Sequence, residues 1–446
     1  MSKIILIGSN HAGTAAANTI LDNYKGNELL IFEANDNVSY LGCGTALYVG
    51  RQIAETSVLF YSSKEALEKK GAKVHMKAAV EEIDFDNKVV IAKKEDGTII
   101  KESYDKLILA TGSKPIRPNL PGMELHGVHN VKLFQDGLGI DSDLNSPEVK
   151  TVATIGAGYI GVEIAEAVKR RGKNSLMFEK QDGCLAGYFD KEISVGMDKV
   201  LKENGIGLHY GETLKEIKSS NGKRVTSIVT DKGEYNVDMV IISIGFIPRT
   251  ELVSGRLETV ANGAIKVNLK QQTSLPDVYA VGDCATIFNN ATGSIDYIAL
   301  ATNAVRSGIV AGHNIGGTPL ESAGVQGSNG IGIFDYKMFS TGLTLEKARA
   351  KGFDATCTDH EDLQKFPFME APNEKVKIRI VYDAKSRKVL GAQMASFLDV
   401  SMGLHMFSLA VAKGVTIDEL KLLDIFFMPH FNQAFNYITV ASLLAK

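Results

Sequence analysis

Cys43 lies between two glycines in the segment Ser39-Tyr40-Leu41-Gly42-Cys43-Gly44-Thr45-Ala46-Leu47-Tyr48. A cysteine is nucleophilic as the thiolate, and the start of a helix favours that form. The small flanking residues, with a helix expected just after Cys43, predict a lowered pKa. The plainer alternative is a buried structural thiol. Cys184, Cys284 and Cys357 lack such surroundings and read as structural. The four cysteines form no CxxC pair and no zinc spacing, so no metal centre is expected. His11 stands in Gly8-Ser9-Asn10-His11-Ala12-Gly13, a kind of loop that otherwise favours glycine. Beside an anionic ligand it could donate a proton or offset charge; alternatively it caps a helix at the surface.

A pyrophosphate needs close backbone approach and a helix N-terminus. Gly156-Ala157-Gly158-Tyr159-Ile160-Gly161 offers both, directly after an apolar strand. Eighteen residues beyond Gly161, Glu179 ends the next strand, where a carboxylate can accept hydrogen bonds from ribose hydroxyls. Gly8–Gly13 is a degenerate copy with Asn10 at the middle glycine, followed by Glu33 in the corresponding place. Val278–Asp283 is a buried strand ending in an acid, which could meet the ribityl chain of a flavin.

These motifs belong to a plan that the chain runs through twice. Ile4–Ile7, a helix from Gly13 to about Asn23 and Leu29–Phe32 form one βαβ unit; Thr151–Ile155, a helix to about Arg171 and Ser175–Phe178 form another. Hairpin-like strands at Val74–Val80, Lys88–Ala92 and Thr98–Glu102, closed by Lys106–Ala110, match Gly207–Tyr210, Val225–Thr230 and Glu234–Asn236, closed by Met239–Ile244. Beyond about Ser322 the pattern changes to an antiparallel hairpin (Lys377–Tyr382, Val389–Met394), a helix at Val400–Lys413 and an aromatic run, Phe426-Phe427 with Phe431. That run is either core or a dimer interface. The expected architecture is α/β: two Rossmann-like nucleotide-binding domains and a C-terminal α+β domain, the candidate dimerisation domain. An FAD domain of residues 1–115 and 250–322 is interrupted by an NAD domain of 116–249, and 323–446 follows.

The 446 residues carry a net charge of −3, with 44% hydrophobic and 23% charged residues, which suits a multidomain globular enzyme. That charge argues against nucleic acid or anionic membrane as partners. No apolar run is long enough to span a bilayer, and Lys3-Ile4-Ile5-Leu6-Ile7 enters a strand at once, so a soluble cytoplasmic protein is expected.

The chain is similar along its whole length to the pyridine nucleotide-disulfide oxidoreductase superfamily. The resemblance rests on Gly8–Gly13, Leu41–Gly44, Ala110–Gly112, Gly156–Gly161, Thr273–Asp283, Tyr297–Ala304 and Phe426–Asn432. It is strongest to the single-cysteine branch of water-forming NADH oxidases, NADH peroxidases and coenzyme A-disulfide reductases. The family's disulfide reductases carry a second cysteine where Tyr48 stands, so an internal dithiol is excluded. They also place a histidine base before a proline, whereas here the order is Pro429-His430, and the branch gives the role to the histidine matching His11.

The resemblance implies FAD held by Gly8, Asn10, His11, Ala12, Gly13, Glu33, Cys43, Val80, Ala110, Thr111, Gly112, Ser113, Lys132, Gly282, Asp283, Ala299, Leu300 and Ala301, with Phe426 near the partner's flavin. It implies NADH held by Gly156, Gly158, Tyr159, Ile160, Gly161, Glu179, Tyr188 and Gly245. The implied reaction takes two NADH and oxygen to two NAD and two water. The Cys43 thiolate would cycle through sulfenic acid with help from His11. The implied assembly is a homodimer, or a dimer of dimers. Hydrogen peroxide as substrate, coenzyme A-disulfide reduction and a non-enzymatic flavin redox sensor are the alternatives.

Overall fold

The computed structural model describes residues 2–446. Strand Lys3–Ile7 alternates its side chains between two cores. Ile4 and Leu6 pack with Ala16, Ala17 and Ile20 of helix His11–Asn23, while Ile5 and Ile7 pack with Ala78, Val90 and Ala92 on the other face. A strand covered on both faces reads as a continuous apolar run, as KIILI does. Its sheet is wholly parallel, in the spatial order Val278–Ala280, Lys106–Leu109, Lys3–Ile7, Glu28–Phe32, Ala72–His75.

The second sheet repeats that order: Val128–Asn130, Met239–Ile242, Thr151–Ile155, Asn174–Glu179, Gly207–Tyr210, again all parallel. One difference sets the connectivity. The outer strand of the first sheet comes from far downstream, after the second sheet is complete, whereas that of the second comes from just upstream. Each sheet is backed by a three-stranded antiparallel sheet: Ala78–Asp84, Val89–Lys94, Ile99–Ser103 in one case and Leu214–Lys218, Ser227–Thr230, Glu234–Asn236 in the other. Ser113–Pro115 and Phe246–Pro248 pair antiparallel as the chain crosses between the halves.

The local elements depart from the sequence reading at a few points. The run Val74–Val80 is split between two sheets, because Lys77 takes a left-handed φ of 54° and turns the chain. Val278–Asp283 is strand only to Ala280, and Gly282–Cys284 forms a single helical turn that lifts Asp283 out of the sheet. Met239–Ile244 likewise ends as strand at Ile242.

The C-terminal unit is a five-stranded antiparallel sheet ordered Asn329–Ile333, Tyr336–Gly342, Val389–Ser396, Lys375–Asp383, Ala355–Leu363. Helices Ser401–Lys413 and Tyr437–Leu443 cover it through Leu404, Phe407, Ile438 and Ala441. Cys357 sits on its outer strand, and Cys184 and Cys284 are buried. Phe426 and Phe431 are exposed, at 65% and 59%, and pack edge to face at 5.9 Å.

Arg379 ties this sheet to the second nucleotide-binding unit. It is 4% exposed and lies 3.5 Å from buried Asp190, 2.7 Å from Glu192 and 2.7 Å from Asp359. Removing one partner of a buried pair leaves an uncompensated charge at a cost of about 3 kcal/mol or more. Arg379→Ala is therefore expected to lower stability by about 3 kcal/mol, read as a fall in the denaturation midpoint. A change below about 0.5 kcal/mol would show that Asp190 is satisfied by Gln393 and the Leu345 N–H alone.

Candidate active site

Both glycine turns are closed by the same contacts. Gly8 has φ 96° and donates its N–H to the Phe32 carbonyl; a Cβ there would lie 2.4 Å from the Ala110 oxygen. Gly156 has φ 100°, donates to the Phe178 carbonyl, and a Cβ would lie 2.6 Å from the Ser243 oxygen. At the third glycines, Gly13 and Gly161, a Cβ would come within 2.0 and 1.9 Å of the oxygens of Gly8 and Gly156. Only glycine fits a left-handed turn packed this tightly.

The two acids repeat the symmetry. Glu33 accepts from the N–H of Ser9 and of Asn35, each at 2.8 Å. Glu179 accepts from the N–H of Ala157 at 2.8 Å and of Gln181 at 3.0 Å. Each carboxylate is thus pinned beside its turn, with acceptor sites left for a ribose diol. Gly158, which caps helix Tyr159–Arg170, and Gly112, at φ 70°, have nothing within 4 Å of a built Cβ, so the backbone is open to a ligand at both.

The Cys43 loop folds onto the first turn. Ser39 N–H donates to the Ser9 carbonyl at 3.0 Å, and Leu41 N–H donates to the Leu59 carbonyl at 2.8 Å. Segment 59–62 then carries Tyr61 onto His11, with the phenol oxygen 2.8 Å from Nδ1 and the rings stacked at 5.6 Å. Burial holds the His11 pKa below its ordinary value, against the pull of Asp283 and with Lys132 adding to the fall. Burial pushes the Tyr61 phenol up to about 12, so neither ring is ionised at neutral pH.

Asp283 is anchored by the Ser113 hydroxyl at 2.8 Å and by Lys132 Nζ at 3.3 Å. Thr111 donates to the Arg249 carbonyl and Gly282 N–H donates to Ser307 Oγ, which fixes both ends of this cluster. Lys132 and Asp283 act electrostatically on both His11 and Cys43: Lys132 lowers the pKa of each and Asp283 raises it. Ala299 and Leu300 lead into helix Ala301–Ile315, whose Ser307 holds Gly282, and Val80 on strand Ala78–Asp84 packs against the core of the first unit.

The expected fall in the Cys43 pKa is not found. Helix Thr45–Val49 does begin just after Cys43, but it is only five residues long. Cys43 is a free, exposed cysteine, yet partial burial of the thiol pushes its pKa up; Glu163 and Asp283 raise it further, while its backbone hydrogen bonding and Lys132 oppose the rise. Tyr48, in the place of a second cysteine, is buried and donates to Asp141 at 3.3 Å. Asp141 in turn pairs with Arg171 at 2.6 Å.

On the second unit, Tyr159 reaches Asn329 with its hydroxyl and meets Tyr188 edge to face at 4.5 Å. Gly245, at φ 111°, accepts from the Ile116 N–H where the chain crosses between units, and Ile160 packs against the cluster that holds Tyr40, Ala46 and Tyr48. Tyr61, Glu163 and Asn329 escaped the sequence reading because each reaches the site through tertiary packing and none belongs to a motif. Among the described residues, no group of three His, Cys, Asp or Glu could hold a metal, and no helix is long and apolar enough to cross a membrane.

Residues 2–308 match the model of the pyridine nucleotide-disulphide oxidoreductase family, and 329–438 match that family's dimerisation domain. The chain is 56% identical to an NADH oxidase of Lactococcus lactis subsp. cremoris and 54% identical to one of Streptococcus pyogenes, each over the full length of both chains. A water-forming NADH oxidase from Lactobacillus brevis, solved with NADH bound, is 36% identical and superposes with a TM-score of 0.96 over 99% of this chain and 98% of that one. With two nucleotide-binding units built on one plan and a C-terminal antiparallel sheet behind them, the chain belongs to the pyridine nucleotide-disulphide oxidoreductase family, whose enzymes join FAD to a pyridine nucleotide.

Proposed function

We propose that this enzyme is an NADH oxidase that reduces oxygen to water with four electrons from two NADH, using Cys43 as a second redox centre. The observation that carries the reading is a single free, exposed thiol whose loop is hydrogen-bonded to the first glycine turn, with a buried tyrosine where a resolving cysteine would stand. The relatives named NADH oxidase, similar over their whole length, support it.

In this reading residues 1–115 and 250–322 bind FAD, 116–249 bind NADH, and 323–446 pair two subunits. The Gly8 turn, Glu33, the open backbone at Gly112 and the Ser113–Lys132–Asp283 cluster suit a dinucleotide with a polar chain. The Gly156 turn and Glu179 suit the nicotinamide nucleotide. When bound, FAD supplies hydride acceptance from NADH and electron delivery to oxygen.

The chain's own residues do the rest. His11, held neutral by burial, can hydrogen-bond an oxygen atom and take up a proton at its free ring nitrogen, which would assist the step at Cys43. The Cys43 thiolate takes one oxygen of peroxide and becomes sulfenic acid. Two further electrons from NADH return it to thiolate and water.

Cys43→Ser leaves both nucleotide sites intact but replaces the thiolate with a hydroxyl, a far poorer nucleophile. The variant is expected to release hydrogen peroxide, with the ratio of NADH to oxygen consumed falling from about two towards about one. Clean water production by the variant would remove Cys43 from the reaction.

Glu179 should repel a 2′-phosphate, with exposed Lys180 only partly offsetting it. kcat/KM for NADH is then expected to exceed that for NADPH by about tenfold or more, ~1.4 kcal/mol. Equal efficiencies would show that Glu179 does not choose the nucleotide.

In the proposed homodimer, exposed Phe426 and Phe431 are covered by the second subunit. Phe426→Asp is expected to shift the protein towards the monomer in gel filtration and to weaken flavin retention. Unchanged size and flavin content would place the interface elsewhere.

A further inference from the structure

Cys43 is exposed, yet its turn is flanked by two buried hydroxyl residues, Tyr40 at 4% and Thr45 at 2% exposure. The Tyr40 ring packs against Phe60 and Phe134, with centroids 5.7 and 5.6 Å away. Helix Phe134–Asn145 closes over the pair: a Cβ on its Gly137 would lie 3.1 Å from Thr45 Cγ2 and 3.7 Å from the Tyr40 hydroxyl oxygen. Neither side chain has room to turn its hydroxyl elsewhere.

The two hydroxyls form a chain with one direction. Thr45 Oγ1 donates to the Gly42 carbonyl at 2.7 Å, an oxygen that can only accept, so the Tyr40 hydroxyl donates to Thr45 Oγ1, at 2.5 Å. Burial raises the Tyr40 pKa, with Asp136 and Cys43 adding to the rise and Thr45 opposing it, so the phenol keeps its hydrogen. The Gly42 carbonyl accepts a second bond from the Thr45 N–H. A threonine hydroxyl on a carbonyl three residues back is common where helices start and end. Here a buried phenol backs it, and the chain ends on the peptide that joins Gly42 to Cys43.

That peptide is trans, so a carbonyl turned into the start of helix Thr45–Val49 sends the Cys43 N–H the opposite way. Among the described residues no carbonyl or side chain accepts from this N–H. We propose that Tyr40 and Thr45 are positioning residues, whose hydroxyl chain fixes the Gly42–Cys43 peptide so that its N–H donates to the Cys43 sulfur and stabilises the thiolate. The inference rests on the reading of Cys43 as the second redox centre. An N–H bonds an anionic sulfur more strongly than a neutral thiol, and the backbone of Cys43 does act on its own thiol in that sense. The other groups that act on the thiol are the charges of Glu163, Lys132 and Asp283, and none of them belongs to the hydroxyl chain.

The test compares Thr45→Val, Thr45→Ser and the double variant Tyr40→Phe/Thr45→Val with the parent, all loaded with flavin and reduced at the thiol. Alkylation of Cys43 by iodoacetamide is followed across about pH 6 to 10 by mass spectrometry of its peptide, and the denaturation midpoint is measured alongside. Valine keeps the branched shape and removes the hydroxyl. The alkylation midpoint is expected to move to higher pH, and the rate at neutral pH to fall on the order of threefold. Thr45→Ser keeps the hydroxyl and is expected to stay close to the parent. Thr45→Val also strands the Tyr40 hydroxyl in the interior. Replacing both partners removes that cost, so the double variant is expected to regain stability while its alkylation midpoint stays high.

A raised alkylation midpoint in a double variant of restored stability supports the proposal, since a merely structural role would recover with the fold. An unmoved midpoint in Thr45→Val, an equal shift in Thr45→Ser, or a return to the parent midpoint in the double variant overturns it. Should Thr45→Val fail to fold, the double variant carries the comparison, and an unmoved midpoint there overturns the proposal equally. Alkylation uses neither NADH nor oxygen, so the result stands apart from water production by Cys43→Ser, which tests the oxidase reading.

Discussion

The structure depends on a closure that occurs twice: a glycine turn wedged between a strand, the helix it opens and the carbonyl of a neighbouring strand. Gly8 and Gly156 have no room for a side chain, and Gly13 and Gly161 let the helix start press back on the turn. Glu33 and Glu179 then lock each turn to the end of the next strand through two backbone N–H groups. Strand, turn, helix and acid become one rigid unit. Every other group in the site is placed relative to these two fixed frames.

Cys43 is held where the frames meet. The Ser39–Ser9 hydrogen bond ties its loop to the first turn, while Arg171 and Asp141 hold helix Thr45–Val49 against the second unit. Tyr48 belongs to that clasp, which gives a physical reason why its position carries a phenol packed into the core. The result is a thiol whose loop is tied to both halves and whose proton is subject to the charges of Glu163, Lys132 and Asp283. Its surroundings do not favour the thiolate at rest, which makes control of its proton part of the chemistry.

Much of this was legible because it is local. Gly156–Gly161 followed by Glu179 specifies strand, turn, helix and acid within a short stretch of chain, and the structure places all four together. The degenerate first turn could be read from its context, since Ser9 and Asn10 leave the two glycines that the packing requires in place. The repeat also anticipated that Val278–Ala280 would return to the first sheet. Long-range features were not legible. No residue type announced the turn at Lys77, the stacking of Tyr61 on His11 or the reach of Arg379 to Asp190. The Cys43 thiol was misread for a related reason. A helix start is visible in sequence, but the burial that pushes the thiol's pKa up, and the Glu163 charge that adds to it, are not.

The central claim is that each subunit stores two electrons at Cys43 in addition to those on its flavin. An anaerobic titration with NADH, following flavin bleaching after treatment with one equivalent of hydrogen peroxide and removal of the excess, tests it directly. A subunit carrying Cys43 sulfenic acid is expected to consume about two NADH before its flavin is fully reduced, with a lag over the first, whereas the Cys43→Ser variant should need about one. Bleaching that begins at once and is complete at about one NADH in both proteins would contradict the account.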